Sequence, residues 1–471
     1  MTIKQLFSIK RITFFGLSVL FVLGCKDDIV TIPEENEESK THLLGGDNTI
    51  FDQSQNAFSF QNPGLNGLDE LNFYVGNSFF KQNWVAAPAS TTARDGLGPT
   101  LNANNCSSCH SKDGRGRPPL YSGEIGTGLI LRFSIGQSLN GEPIPHPKYG
   151  EQLQDDAIPG VTKEGQIDII YQEIQGVFPD GETYSLRKPT YSIKNAAFGA
   201  ITGTMISPRI SRQLIGLGLL EAITDDVILS NADENDMDEN GISGKPNYVW
   251  DDEKQSLQLG RFGWKADQSS IKQQVAKAFL RDIGITTSLY NYDNCPDTQV
   301  NCSNAANGGK PEIDPEDLDK ITLYVSNLAV PAQRNYENSQ IKRGQDLFTR
   351  IGCISCHKSE VKTGTSSKFI HLNNQTILPY SDLLLHNMGK ELADDMPVYD
   401  ASGQEWRTPP LWGIGLLNTV NNHAYYLHDG RARSIQEAIL WHGGEAESRK
   451  RSFKGLKKND RDALINFLKS L

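Results

Sequence analysis

Two five-residue segments constrain this chain more than anything else in it: "CSSCH" at 106–110 and "CISCH" at 353–357. Two thiols three positions apart on one helical turn can reach the two vinyl groups of a single porphyrin. The imidazole of the next residue then points at the iron from the same side, which is the attachment pattern of a c-type haem. A zinc site would need four ligands gathered at each motif, and none cluster there. A thioredoxin-like redox pair is the remaining reading of Cys-x-x-Cys. The repetition favours two covalent haem c groups, one on Cys106 and Cys109 with His110, the other on Cys353 and Cys356 with His357. His110 and His357 are then the proximal iron ligands.

The segments ahead of the motifs are alike, "GNSFF" at 76–80 and "GQDLF" at 344–348, although the first is followed by a longer loop. The chain reads as a duplicated unit of helix, haem motif and wrapping chain, joined through 323–344, where Pro331 breaks a helix. The expected fold is mainly α, with two cytochrome c-like haem domains. The first carries a large irregular insertion and few short strands.

The 471 residues allow two or three domains. Lys4, Lys10 and Arg11 precede the apolar run "ITFFGLSVLFVLGC", the layout of a secretory signal. Its end, "VLGC", is similar to a bacterial lipobox, which makes Cys25 the lipid-carrying first residue of the mature chain. The predicted organisation is a signal at 1–24, a lipid-anchored tether at 25–60, an N-terminal haem domain at 61–330 and a C-terminal haem domain at 331–471. A net charge of -11 argues against a nucleic-acid groove. No later segment is apolar enough to span a bilayer, so the membrane is met only through the lipid, at the cell envelope. That compartment permits disulfides, and Cys295 and Cys302 flank a polar loop with no histidine nearby, as a loop-closing disulfide would.

A haem iron also has a second axial position. "SIQEAILWH" puts Ile435, Ala438, Ile439 and His442 on one helical face, with Gly443 placed to end the helix in a left-handed cap. His442 is the favoured ligand of the second iron, and Met388 and His386 in "LLLHNMGKEL" compete with it. For the first iron, His146 lies in a proline-rich turn expected to be exposed, and Tyr184 is an alternative ligand; an open iron is the better reading. "DENDMDENGISGKPN" (233–247) carries Asp236, Asp238, Asn240 and Gly241 like the first half of a calcium-binding EF-hand loop, without the closing glutamate.

Together with the haem motifs, "EWRTPPLWGIGL" (405–416) and "YLHDGRARSIQEAILWH" (426–442) resemble the bacterial di-haem cytochrome c peroxidase superfamily. Within it the chain is most similar to the di-haem oxidoreductase branch, over nearly the whole mature length. The resemblance places His442 where peroxidase relatives carry a distal methionine and the methylamine-utilisation enzyme a tyrosine. Two histidines on one iron imply a lower potential than His/Met. "LGRFGWKADQSSIKQQVAKAFLRDIG" (259–284) resembles the segment that supplies an inter-haem tryptophan, a distal glutamine and a distal acid. By position these are Trp264, Gln274 and Asp282, the last where relatives use glutamate. The implied function is reduction of hydrogen peroxide at the first haem, with electrons from a small redox protein relayed through the second. The alternatives are a di-haem electron carrier and an oxidase of a protein or metal substrate.

Overall fold

The computed structural model describes residues 41–471. The expected signal, the expected lipid attachment at Cys25 and most of the expected tether lie outside the described residues.

Two pairs of helices explain the repeated prelude. Helix Gly67–Lys81 packs on Pro315–Ser326, and helix Ser339–Arg350 packs on Lys458–Ser470. Each crossing depends on a glycine. A Cβ added at Gly76 would lie 2.2 Å from the Lys320 carbonyl oxygen, and one at Gly344 would lie 2.1 Å from that of Ala463. Four residues on, Phe80 lies against Tyr324 at 5.3 Å and Phe348 against Phe467 at 5.5 Å. The motif common to both segments is therefore Gly-x-x-x-Phe: a bare backbone where two helices touch, then an aromatic ring to fill the next turn. Asp314, accepting from the Glu316 amide, caps one partner helix, and Asn338, accepting from Gln340, caps another.

Strands supply much of the rest. The largest unit is an antiparallel hairpin of Gln166–Val177 with Thr183–Lys194, paired in register along all its length. Its turn, "FPDGET", uses Gly181 at φ 89°, where a side chain would be strained. Leu129–Ser134 pairs antiparallel with Met205–Ile210, and Thr49–Ile50 lies parallel to Val330–Pro331. Pro331 thus sits in a strand, and the preceding helix has already ended at Ser326. Only 29% of the chain is helical and 18% is strand. The expectation of a mainly α fold fails, and no feature specifies cytochrome c-like domains. The cause is the insertion after the first motif: it is built from paired strands rather than from the irregular chain expected there.

Residues 41–471 belong to one compact unit, and its main core joins both helix pairs through residues such as Trp84, Tyr324, Phe348 and Trp412. Among the described residues, no helix is long and apolar enough to cross a membrane.

Candidate redox site

Each Cys-x-x-Cys-His segment enters its own cavity. The first is a single helical turn, Cys106–Cys109, capped by Asn105, whose side chain accepts from the Ser108 amide at 2.7 Å. The second is a 3-10 turn, Cys353–Ser355, entered through Gly352 at φ 86°. His110 Nδ1 donates to the Arg212 carbonyl at 2.7 Å, and His357 Nδ1 to the Tyr380 carbonyl at 2.9 Å. Both bonds fix the tautomer and leave Nε2 free for a metal. Phe80 and Phe348 flank these rings at 6.2 and 6.0 Å, so the Gly-x-x-x-Phe helices also position the imidazoles. Burial lowers the pKa of His110, and it brings His357 down to about 4. Both rings are neutral at pH 7, the form that binds iron. Burial and the charge of Asp282 push the Cys106 thiol up to about 12.

The first cavity brings together His110, Gln274 and Asp282. Gln274 lies on helix Ile271–Ala278, which continues into a π-helical turn, Phe279–Ile283, that carries Asp282. Such turns recur at functional sites. Asp282 Oδ1 accepts from Gln152 Nε2 at 2.8 Å, and the same amide donates to Asn102 at 2.7 Å. The expected exposure of His146 is wrong: it is 6% exposed, packed on Tyr149 and absent from the cavity lining. Tyr184 is also elsewhere, on the long hairpin, where its hydroxyl accepts from Lys454.

The second cavity holds Cys353, Cys356, His357, Met388 and His442. Helix Ile435–Trp441 is capped by Ser434 and ends at His442, whose Nδ1 donates to the Ala438 carbonyl at 2.7 Å. Its Nε2 is again the free nitrogen. Gly443 is extended rather than left-handed; the turn falls one residue later, at Gly444 with φ 54°. His386 lines the cavity but has both ring nitrogens engaged by carboxylates, Asp382 at 2.9 Å and Glu445 at 2.7 Å. That leaves it no lone pair for iron.

Trp264, Gln213 and Arg407 line both cavities. The Trp264 indole donates to the Ile210 carbonyl at 2.8 Å, and the Arg115 and Arg212 guanidinium carbons lie 5.4 and 4.9 Å from its ring. Behind it, His428 stacks on Trp406 at 3.8 Å.

The arginines test whether haem fits. Arg407 and Arg115 are buried and have no carboxylate partner among the described residues; their recorded bonds run to backbone carbonyls of Gly263, Thr408 and Tyr425. The Nε atoms of Arg115, Arg132, Arg212 and Arg281 are buried without a hydrogen-bond partner. Buried cations need anions, and the propionates of two haems are anions of the right kind. Sequence reasoning missed Gln152, Arg115 and Arg407, for which no local pattern gives a signal.

Two further predicted sites lie apart. Cys295 and Cys302 are bonded, with sulfurs 1.98 Å apart. In the acidic loop, carboxylates of Asp233, Asp236 and Asp238 lie close enough to share a cation, whereas the Asn240 amide donates to Asp238. Asp233 joins Asp236 and Asp238 in that carboxylate group.

Paired cavities, each entered by a thiol pair and an imidazole and divided by one tryptophan, define a two-centre redox protein. The family model described as "Di-haem oxidoreductase, putative peroxidase" matches residues 39–471, and the chain belongs to that family. Two haems and an oxidoreductase activity come with that membership. No curated protein and no solved structure matches the chain.

Proposed function

We propose that this protein is a c-type di-haem peroxidase that reduces hydrogen peroxide at the first cavity with electrons arriving through the second. The observation that carries this reading is an asymmetry. Among the described residues, the first cavity offers one imidazole, His110, and no second histidine, methionine or tyrosine in its lining. The second offers His442 and Met388 besides His357. An electron carrier needs both irons capped, whereas a peroxidase needs one accessible.

The haems, attached through Cys106 and Cys109 and through Cys353 and Cys356, would supply the iron that cleaves peroxide and the centre that stores an electron. The chain's own residues do the rest. Asp282 transfers a proton between the peroxide oxygens, and Gln152 holds it in place through Oδ1. Gln274 orients the peroxide from the same wall. Arg115, Arg212 and Arg407 would neutralise haem propionates, and the Trp264 indole would divide one long electron step into two. Cys25 would tether the enzyme to the envelope membrane, within reach of a small redox protein as donor.

The test is stopped-flow spectroscopy of the purified protein mixed with peroxide, both fully oxidised and after one-electron reduction. A peroxide-dependent change in the Soret band is expected in at least the half-reduced form. No change in either form would hand the assignment to the electron carrier.

A further inference from the structure

His386 lies at the centre of a buried three-charge unit beside the second attachment segment. It is 2% exposed, and its two ring nitrogens donate to Asp382 and to Glu445. Two acceptors require two N–H donors, so the ring is an imidazolium between two carboxylates. Burial opposes that charge, but the field and hydrogen bond of Asp382 outweigh it and hold the pKa well above the usual histidine range. Burial also pushes Glu445 up, yet the bonds to His386 overcome this and bring it below its ordinary value. Glu445 accepts further from the Asn387 amide at 2.9 Å and from the Ser243 hydroxyl at 2.8 Å. The unit is thus rigidly held. His386 Nδ1 stands 3.6 Å from Cys356 Sγ, one of the two sulfurs through which the second haem is attached in the reading above.

We propose that His386, set between Asp382 and Glu445, tunes the reduction potential of the haem held at Cys353 and Cys356. This rests on that haem being present. An iron centre loses one positive charge on reduction, so a nearby cation favours the reduced form and a nearby anion the oxidised form. In a buried site these charges are weakly screened. The cation touches the sulfur, an oxygen of Asp382 lies within 4.8 Å of that same sulfur, and Glu445 accepts at the nitrogen that faces it, so His386 compensates one of two nearby carboxylates. His386 acts through the haem environment, not on substrate, and is a positioning residue.

The sign of each shift is the test. Spectroelectrochemical titration of the holoprotein reads the two haems separately, and haem staining after denaturation reports covalent attachment. His386→Gln leaves two carboxylates uncompensated and should lower the potential of the second haem. Glu445→Gln keeps the shape and an acceptor oxygen but removes a negative charge, so it should raise that potential. The first haem should shift less in both. Loosened packing would move both variants in the same direction. Equal-signed shifts, or none, therefore overturn the proposal. Should His386→Gln fail to accumulate as holoprotein, Glu445→Gln and Asp382→Asn still decide: each removes a negative charge and must raise the potential of the second haem more than that of the first, and a fall, no change or an equal shift of both haems overturns the proposal. A wild-type protein without covalent haem at Cys353 and Cys356 overturns the underlying reading, and this assignment with it.

Discussion

At Asp282, Gln152 fixes Oδ1, and the residue faces a cavity whose only imidazole among the described residues is His110. Asp282→Asn keeps size and removes the ionisable group. A general acid-base residue contributes about 100- to 10,000-fold in rate, so peroxide-dependent oxidation should slow by that order while both haems stay bound. Stopped-flow rates of variant and wild type decide it, and an unchanged rate would remove Asp282 from the proton path. A second carboxyl reports on stability. Glu164 is 1% exposed, and burial raises its pKa from 4.5 to about 8 against the opposing bonds from the Gln154 amide and Gln299. Between those values the native state keeps a proton that the unfolded chain has lost. Stability should fall as pH rises through that window, by on the order of a few kcal/mol, and level off above it. Glu164→Gln should flatten the slope in urea unfolding compared at about pH 5 and about pH 8. At this scale the sequence was legible where chemistry is contiguous. The Cys-x-x-Cys-His segments stand out by their spacing and each lines a cavity, and Gln274 and Asp282 share a helix and its π turn. Gln152, Arg115 and Arg407 reach the cavities from separate segments, so no spacing announces them.

The helix pairs were legible for the same reason: Gly-x-x-x-Phe is written twice, and each glycine marks a backbone contact. Gly76→Ala and Gly344→Ala would each force a methyl into a carbonyl, at 2.2 and 2.1 Å. The helix-propensity gain of Ala over Gly is about 1 kcal/mol, smaller than an overpacking cost at a rigid backbone. Each variant should lose about 1–3 kcal/mol in chemical unfolding. Gly455→Ala, in helix Glu447–Gly455 with nothing within 4 Å, should lose nothing. The strands read less easily. Leu129–Ser134 finds its partner, Met205–Ile210, only after the whole long hairpin has intervened, and period-two patterning does not say which strand it joins. The hairpin itself left a usable signal, alternating Ile167, Ile169 and Tyr171 before a Pro-Asp-Gly turn. The strong haem signal drew the reading toward helices.

Across the whole molecule, the two cavities share a wall, and Trp264 is its aromatic member common to both. Trp264→Phe keeps a flat ring but removes the readily oxidised indole and its bond to Ile210. Peroxide binding should persist, while electron transfer from the second centre to the first should slow in single-turnover kinetics. An unchanged transfer rate would route electrons elsewhere. The shared wall has a further bearing on how the protein is made. Cys106 and Cys109 leave the ribosome early, yet their cavity is closed by Ile321 and Val325 of a much later helix and by Arg407, beyond the second Cys-x-x-Cys-His segment. Until that late sequence exists, the first cavity has no finished side. A cofactor seated in the first cavity is therefore enclosed only once the C-terminal part of the chain has folded against it, which ties completion of the first cavity to that of the second.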